Sequence, residues 1–286
     1  KNINKISEGI MVVVIRSSRN VGFYSGLLGL IYNAFIHIKN DEIPYILWKN
    51  PKYMADENDN VFDYFFNQKG QMPIHKNFQI VEENGIRPSK ILHIARQNNK
   101  SFREQMQIMF ETVCDIKKEY KEIIDDLVSN FDLSHKKAIH IRRTDRFVGG
   151  KGLVYAGPDN QTIFFHLRNK KENDFYIATD CTDTYEYFKE HFDCFSYASI
   201  RSQKTRGIHA NNNIDEKNKN IAIECFIEGM LLSKCSFLYR MTSNFTIFAL
   251  CVNSQIGFED LSLTHKKKIM EDLSLDSLFI EDFLSK

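Results

Sequence analysis

No stretch of this chain is long and apolar enough to cross a membrane. A helical span needs about 18 consecutive apolar residues, and the best candidate, Val21 to Ile38, is interrupted by Gly22, Ser25, Gly26, Gly29, Asn33 and His37. A surplus of either charge is also missing. With 38 Lys and Arg against 37 Asp and Glu the net charge is +1, so nothing global steers the chain to nucleic acid or an acidic membrane surface. Any anion must be held by cations placed locally. None of the six cysteines forms a CxxC pair. Cys114, Cys181, Cys194, Cys225, Cys235 and Cys251 read as reduced thiols, four of them in apparently buried segments, as in a cytosolic protein. No signal peptide is legible from Lys1 onward, and the expected location is the cytoplasm or its membrane surface. Sequons at Asn99, Asn160 and Asn244 carry no weight without a secretory context. Tryptophan occurs once, at Trp48, whereas phenylalanine occurs 23 times. The 43% hydrophobic content over 286 residues is enough for a sizeable core in one large or two small domains. No internal repeat or low-complexity segment is present.

What the chain does have is alternation. Gly9 to Ile15 is a valine-rich run, the pattern of a strand buried on both faces. It enters a polar loop, Arg16 to Gly22, and then a helix pattern with Leu27, Leu28, Ile31, Ala34, Phe35 and Ile38. Strand, polar loop and helix in that order open an α/β domain. Pro44 to Trp48 predicts a second strand and Val61 to Phe66 an aromatic turn. Ser101 to Asn130 reads as one long amphipathic helix whose Met and aromatic stripe is ordinary core. That helix closes a first half, 1–130. The second half, 131–286, repeats the pattern, with strands at Ala138 to Arg142, Asp174 to Thr179, Cys194 to Tyr197 and Ser236 to Tyr239. Helices are expected near Asp159 to Arg168, Thr182 to Phe192, Asn218 to Ser233 and Phe245 to Val252. A charged helical tail from His265 to Lys286 could pack back on the first half.

Three clusters could carry chemistry. His140-Ile-Arg-Arg-Thr-Asp145 ends an apolar strand in polar groups, where open α/β sheets place ligands. Side chains alternate on a strand, so His140 and Arg142 share one face and Arg143 points the other way. An arginine there suits phosphate, which its planar fork binds through paired charge-assisted hydrogen bonds. Thr242-Ser243-Asn244 follows the last strand at a helix start, either an anion site or a plain N-cap. Glu224 and Glu228 lie one turn apart on an otherwise apolar helix, and buried carboxylates need partners. A nucleobase or ribose would serve, as would a lysine or arginine. Elsewhere Gly22, Gly26 and Gly29 permit close packing or close approach of a ligand without matching GxGxxG. Trp48 is either a core aromatic or a platform for a sugar ring.

His140-Ile-Arg-Arg-Thr-Asp145 resembles the motif of the GDP-fucose-dependent fucosyltransferases, namely the α1,6 enzymes of N-glycan cores and the rhizobial nodulation enzyme. Phe175-Tyr-Ile-Ala-Thr-Asp180 is similar to the strand those enzymes carry next. Leu232 to Leu238, followed by Thr242-Ser243-Asn244, is similar to their last nucleotide-binding segment. Gly22-Phe23-Tyr24-Ser-Gly, the Trp48 segment and Asp63-Tyr-Phe-Phe resemble the opening of related bacterial and viral glycosyltransferases.

The resemblance implies an α/β GT-B architecture of two Rossmann-like domains facing across a cleft, with the donor nucleotide on the second. It implies inverting transfer of a sugar, GDP-fucose favoured, to a glycan hydroxyl, with no metal or other cofactor; the donor half has no DxD motif. Arg142 matches the arginine holding the donor β-phosphate, and His140 the histidine beside the base. Ser243 and Asn244 match phosphate contacts, and Glu228 falls on the base-reading aspartate. Arg143, Asp180 and Thr242 join them on the donor side, and Gly22, Phe23, Tyr24 and Trp48 are implied on the acceptor side. The glutamate that follows the motif in the core enzymes is absent from Phe147-Val-Gly-Gly150, and their lysine is Arg146. Asp145 is therefore the expected general base, with Asp63 in reserve. A glutamate at 228 would also suit a UDP-sugar such as UDP-xylose. A non-catalytic glycan- or nucleotide-binding protein of the same fold, or a phosphate-ester hydrolase using His140, remains open.

Overall fold

The computed structural model describes residues 11–71, 78–143, 158–198, 200–202 and 214–261. In the first half, the valine run becomes β1 (Val12–Ser17), the middle strand of a parallel three-stranded sheet. It lies between β2 (Ile43–Trp48) and β4 (Gln79–Glu82), and α1 (Phe23–Lys39) makes the crossover from β1 to β2. β4 has no clear sequence signal because it is a mostly exposed edge strand that is half polar. The helices α2 (Phe62–Phe65), α3 (Pro88–Gln97), α4 (Phe102–Val113) and α5 (Lys118–Asn130) complete this half.

The expected single helix over 101–130 is two helices. A capping box of Ser101 and Glu104 opens α4, which satisfies two of the backbone N–H groups that a helix start leaves unpaired. The break comes where β5 (Asp115–Ile116) pairs antiparallel with β3 (Phe66–Asn67) and the Lys117 N–H donates to the Phe65 carbonyl at 2.8 Å. A tertiary strand pairing has overridden a helical period.

The second half is built on five parallel strands in the order β10-β9-β6-β7-β8: β6 (Lys137–Ile141), β7 (Asp174–Thr179), β8 (Asp193–Phe195), β9 (Phe237–Arg240) and β10 (Gly257–Asp260). From β6 the chain steps outward through α6 (Asn160–Asn169), β7 and α7 (Thr182–His191) to β8. It then returns through α8 (Glu216–Lys234) to lay β9 on the other side of β6, and α9 (Asn244–Val252) leads on to β10. The order reverses between β6 and β9, which is where open α/β sheets bind ligands, outside the strands' carboxyl ends.

Strand alternation sorts the core. Ala138, Tyr176, Ala178 and Leu238 pack with α8 and α9, while Ile139, Ile141, Phe175 and Ile177 pack with α6 and α7. The first of these cores continues without a break into the other half, joining Val13, Leu27 and Phe65 to Phe226 and Phe248. Phe65 and Phe226 stack with ring centroids 4.6 Å apart. Because α8 is wedged between the sheet and the first half, it is apolar on most sides, with Ile221, Ala222, Phe226, Ile227, Met230 and Leu231 all buried.

Candidate functional site

The ends of β6 and β9 bring two of the sequence clusters side by side. His140 pairs with Arg240 across the ladder, and the His140 carbonyl accepts the Met241 N–H at 3.1 Å. The His140 ring is buried, with its centroid 4.9 Å from that of Phe245 on α9. Arg142, half-buried, follows on the same face. Its positive charge opposes the upward shift of two neighbours, the Tyr53 hydroxyl from the first half and the Cys225 thiol on α8.

Arg143 takes the opposite direction, as alternation requires. Its guanidinium donates to Asn160 Oδ1 at 2.8 and 3.1 Å, and its backbone N–H donates to Asp180 Oδ1 at 2.8 Å. Burial draws this guanidinium down to about 10, and the Cys181, Asp159 and Asp180 charges oppose the shift. Arg143 and Asp180, both expected on the donor, are engaged in holding the ends of β6 and β7 together.

At β9 the expected Thr-Ser-Asn trio divides in the same way. The Thr242 hydroxyl donates to Asp260 at 2.8 Å, and Ser243 is the N-cap of α9, accepting the Thr246 N–H at 3.3 Å. Asn244, the first residue of α9, is exposed. Directly beneath them, Arg240 and Asp260 form a fully buried ion pair at 2.8 Å. The plain N-cap reading is thus met, and the same geometry aims the positive end of the α9 dipole at the switch point.

The two carboxylates of α8 grip the segment after β8. Glu224 accepts the Ile200 N–H at 3.0 Å, and the Glu228 carboxyl accepts the Ala198 N–H. Glu228 is 8% exposed, and its Oε1 is buried with no hydrogen-bond partner among the described residues. Burial pushes this carboxyl up to about 8; Arg201 opposes the shift, and Glu224 and Asp180 add to it. A buried carboxyl oxygen left bare is uncommon and needs an explanation.

The first half contributes less than expected. Trp48 is fully buried against Phe23 and Tyr53, and a Cβ on Gly26 would come within 2.9 Å of its ring. No face of that ring is left for a sugar, because the strand end it occupies points into the core. Phe23 and Tyr24 are also buried. The Phe23 N–H donates to the Tyr53 hydroxyl at 2.8 Å. Tyr24 reaches across to the second half, where its hydroxyl donates to the Cys225 carbonyl and its ring lies 4.7 and 4.9 Å from Phe248 and Phe245. Of the four residues expected on the acceptor side, only Gly22 is exposed, with open space about its Cα. Asp63 accepts from Asn60 Nδ2 at 3.0 Å and Gln68 Nε2 at 2.5 Å, beside Ile46 in the middle of β2 and away from its end. Each of its oxygens accepts one hydrogen bond, which leaves lone pairs on both. Asp145 and the tail from His265 lie outside the described residues.

Two contributors escaped sequence reading, Tyr53 beside Arg142 and Asn160 beneath Arg143. Each is a single polar side chain in an unpatterned position, and only tertiary placement gives it meaning.

No family model matches this sequence, and no curated protein matches it. Solved structures match in fold. Fucosyltransferase NodZ from Bradyrhizobium is 15% identical with a TM-score of 0.55, over 87% of this chain and 95% of that one. NodZ α-1,6-fucosyltransferase soaked with GDP-fucose is 15% identical with a TM-score of 0.54, over 85% and 93% of the two chains. A FUT1 mutant from Arabidopsis thaliana in complex with GDP is 10% identical with a TM-score of 0.54, over 89% and 71%. The chain therefore has the fucosyltransferase-like GT-B fold.

Proposed function

We propose that this protein is an inverting glycosyltransferase that moves a sugar from a nucleotide-sugar donor, GDP-fucose by preference, to a glycan hydroxyl. The observation that carries the reading is that β6, with Arg142 just past its end, and β9, which leads into the N-terminus of α9, lie side by side at the reversal point of the second sheet. That placement matches the general rule for nucleotide sites in open α/β sheets, and it occurs on a fold whose solved members NodZ and FUT1 were captured with GDP or GDP-fucose.

In this reading residues 131–286 hold the donor and residues 1–130 face the acceptor. The acceptor oxygen attacks the anomeric carbon from one side as the carbon–phosphate oxygen bond breaks on the other. The diphosphate leaves with the bonding pair, and its growing charge is met by Arg142 and by backbone N–H groups at the start of α9. Glu228 accepts from the base, His140 lies beside it, and Asp145 takes the acceptor proton. In this reading Arg142 and the helix end supply the positive charge and no metal takes part. A UDP-sugar such as UDP-xylose is the second reading, since a glutamate at 228 that held the ribose would suit it equally well.

Release of nucleoside diphosphate from the donor in the presence of a glycan acceptor panel tests the reading. Arg142→Ala should lower the rate at least a hundredfold while leaving the circular dichroism spectrum unchanged; an undiminished rate would refute it. Donor binding without product from any acceptor would favour a binding module.

A further inference from the structure

Glu228 is unlike the other buried carboxylates. Asp260 has Arg240 and Thr242, and Glu83 has Ser17, Arg19 and the Gly85 N–H. Among the described residues Glu228 has one backbone N–H and a bare oxygen. On its own helix it faces Glu224, which disfavours a second negative charge, and the Cys225 thiol, which burial keeps protonated. From the end of β7 comes Asp180, also negative, and from β7 itself the Tyr176 hydroxyl; Tyr24 approaches from α1 and Tyr197 from the segment after β8. Among the described residues Arg201 is the cation that opposes the shift; its Nη2 donates to Ser196 Oγ at 2.5 Å and its guanidinium lies 4.1 Å over the Tyr185 ring, while its Nε is buried without a partner.

A carboxyl group in such a setting is uncharged until a ligand supplies donors for both oxygens. Its two forms present different patterns. The neutral acid offers one donor and one acceptor, and the carboxylate offers acceptors only. The first complements an N–H beside a carbonyl, an edge that uracil offers and that guanine offers too at N1–H and O6, so it does not discriminate. The second complements guanine, whose N1–H and N2–H point the same way.

We propose that Glu228 sets base specificity through its proton: the free protein holds it as a neutral acid, and guanine binding expels that proton to solvent and locks in the carboxylate. The proposal rests on the donor reading above and adds to it a proton released per donor bound. The balance is simple. The O–H bond of Glu228 breaks, the proton passes to buffer, and two N–H donors of the base take up the charge left behind. Selection of guanine is then strongest where the proton is cheapest to remove, on the alkaline side of neutrality.

The test is calorimetric titration of the intact protein with GDP-fucose, whose phosphates are both esterified and carry no proton of their own to lose near neutral pH. Measurements in two buffers of unlike ionisation enthalpy count the protons released. The expected result is release of nearly one proton at pH 7, falling towards zero above pH 9, with affinity rising roughly eightfold from pH 7 to pH 8.5. Glu228→Gln, which cannot ionise, should bind GDP-fucose more weakly and without pH dependence or proton release. Because the wild-type proton count stands alone, poor folding of the variant would not remove the test. Binding of GDP-fucose with no proton release and a flat pH profile overturns this inference and leaves the donor reading intact. Failure of GDP-fucose to bind at any pH, with a UDP-sugar binding in its place, overturns both.

Discussion

Arg142 and Arg143 are neighbours in sequence with different work to do. The strand's alternation turns Arg142 towards Tyr53 and α8, and Arg143 into a hydrogen-bonded clamp with Asn160 and the Asp180 carboxylate. Loss of the first should remove turnover from a folded protein. Loss of the second should loosen the junction of β6 and β7 and lower stability. Gly229 is equally specific: a Cβ there would overlap the Tyr24 hydroxyl that reaches across from the first half. Gly229→Ala should cost about 1–3 kcal/mol through overpacking, read as a lower urea midpoint with an unchanged m-value; an unchanged midpoint would show that Tyr24 is not held there. Glu228 makes a stability prediction of its own. Its folded pKa, about 8, lies above its ordinary 4.5, so its contribution to stability is fully present below the ordinary value and is lost as pH rises through about 8. The urea midpoint of the unliganded protein should fall between pH 5 and pH 8 by more than that of Glu228→Gln. Equal falls would mean that the carboxyl is ionised throughout.

At the scale of elements, α9 begins at a capped N-terminus beside the switch point. Ser243 caps it, so Ser243→Ala should cost about 1 kcal/mol by chemical denaturation. If the α9 terminus also orients diphosphate, the variant should bind donor less well; unchanged donor affinity would leave Ser243 as a cap alone.

Strongly patterned elements were legible in the sequence. The valine run of β1, the strand Asp174–Thr179 and the apolar periods of α8 and α9 needed only their own residues to announce themselves. So did the joint of polar residues at the end of β6. Elements defined by their partners were not legible. β4 and β10 are short edge strands with little apolar content, and the interruption between α4 and α5 exists because β5 finds β3. The site followed the same rule. The switch-point residues could be named from strand-end chemistry, whereas Phe23, Tyr24 and Trp48 read as ligand contacts yet pack in the core, since an aromatic side chain looks the same in sequence whether it meets a sugar or another ring.

At the scale of the molecule, the two parallel sheets are joined by one continuous apolar core, with Phe65, Phe226, Tyr24 and Phe248 at the seam. Polar ties reinforce it. Arg103 donates to the Ile256 carbonyl at 2.6 Å, and the Asn218 side chain donates to the Pro51 carbonyl at 2.9 Å. A seam that is continuous core couples the halves, so they should unfold together. Trp48, the only tryptophan, reports on the first half alone, and its fluorescence should change at the same urea concentration as the far-ultraviolet circular dichroism of the whole chain. Two separated midpoints would mean that the halves are independent.

The proposed function puts a nucleoside diphosphate at Arg142 and the start of α9, and titration with the free nucleotides tests that assignment most directly. GDP should bind the wild-type protein with micromolar affinity, bind Arg142→Ala at least tenfold more weakly, and outcompete UDP at pH 8. Micromolar binding of UDP with none of GDP would contradict the fucosyl donor, and binding of neither would contradict the assignment of the switch point as a nucleotide site.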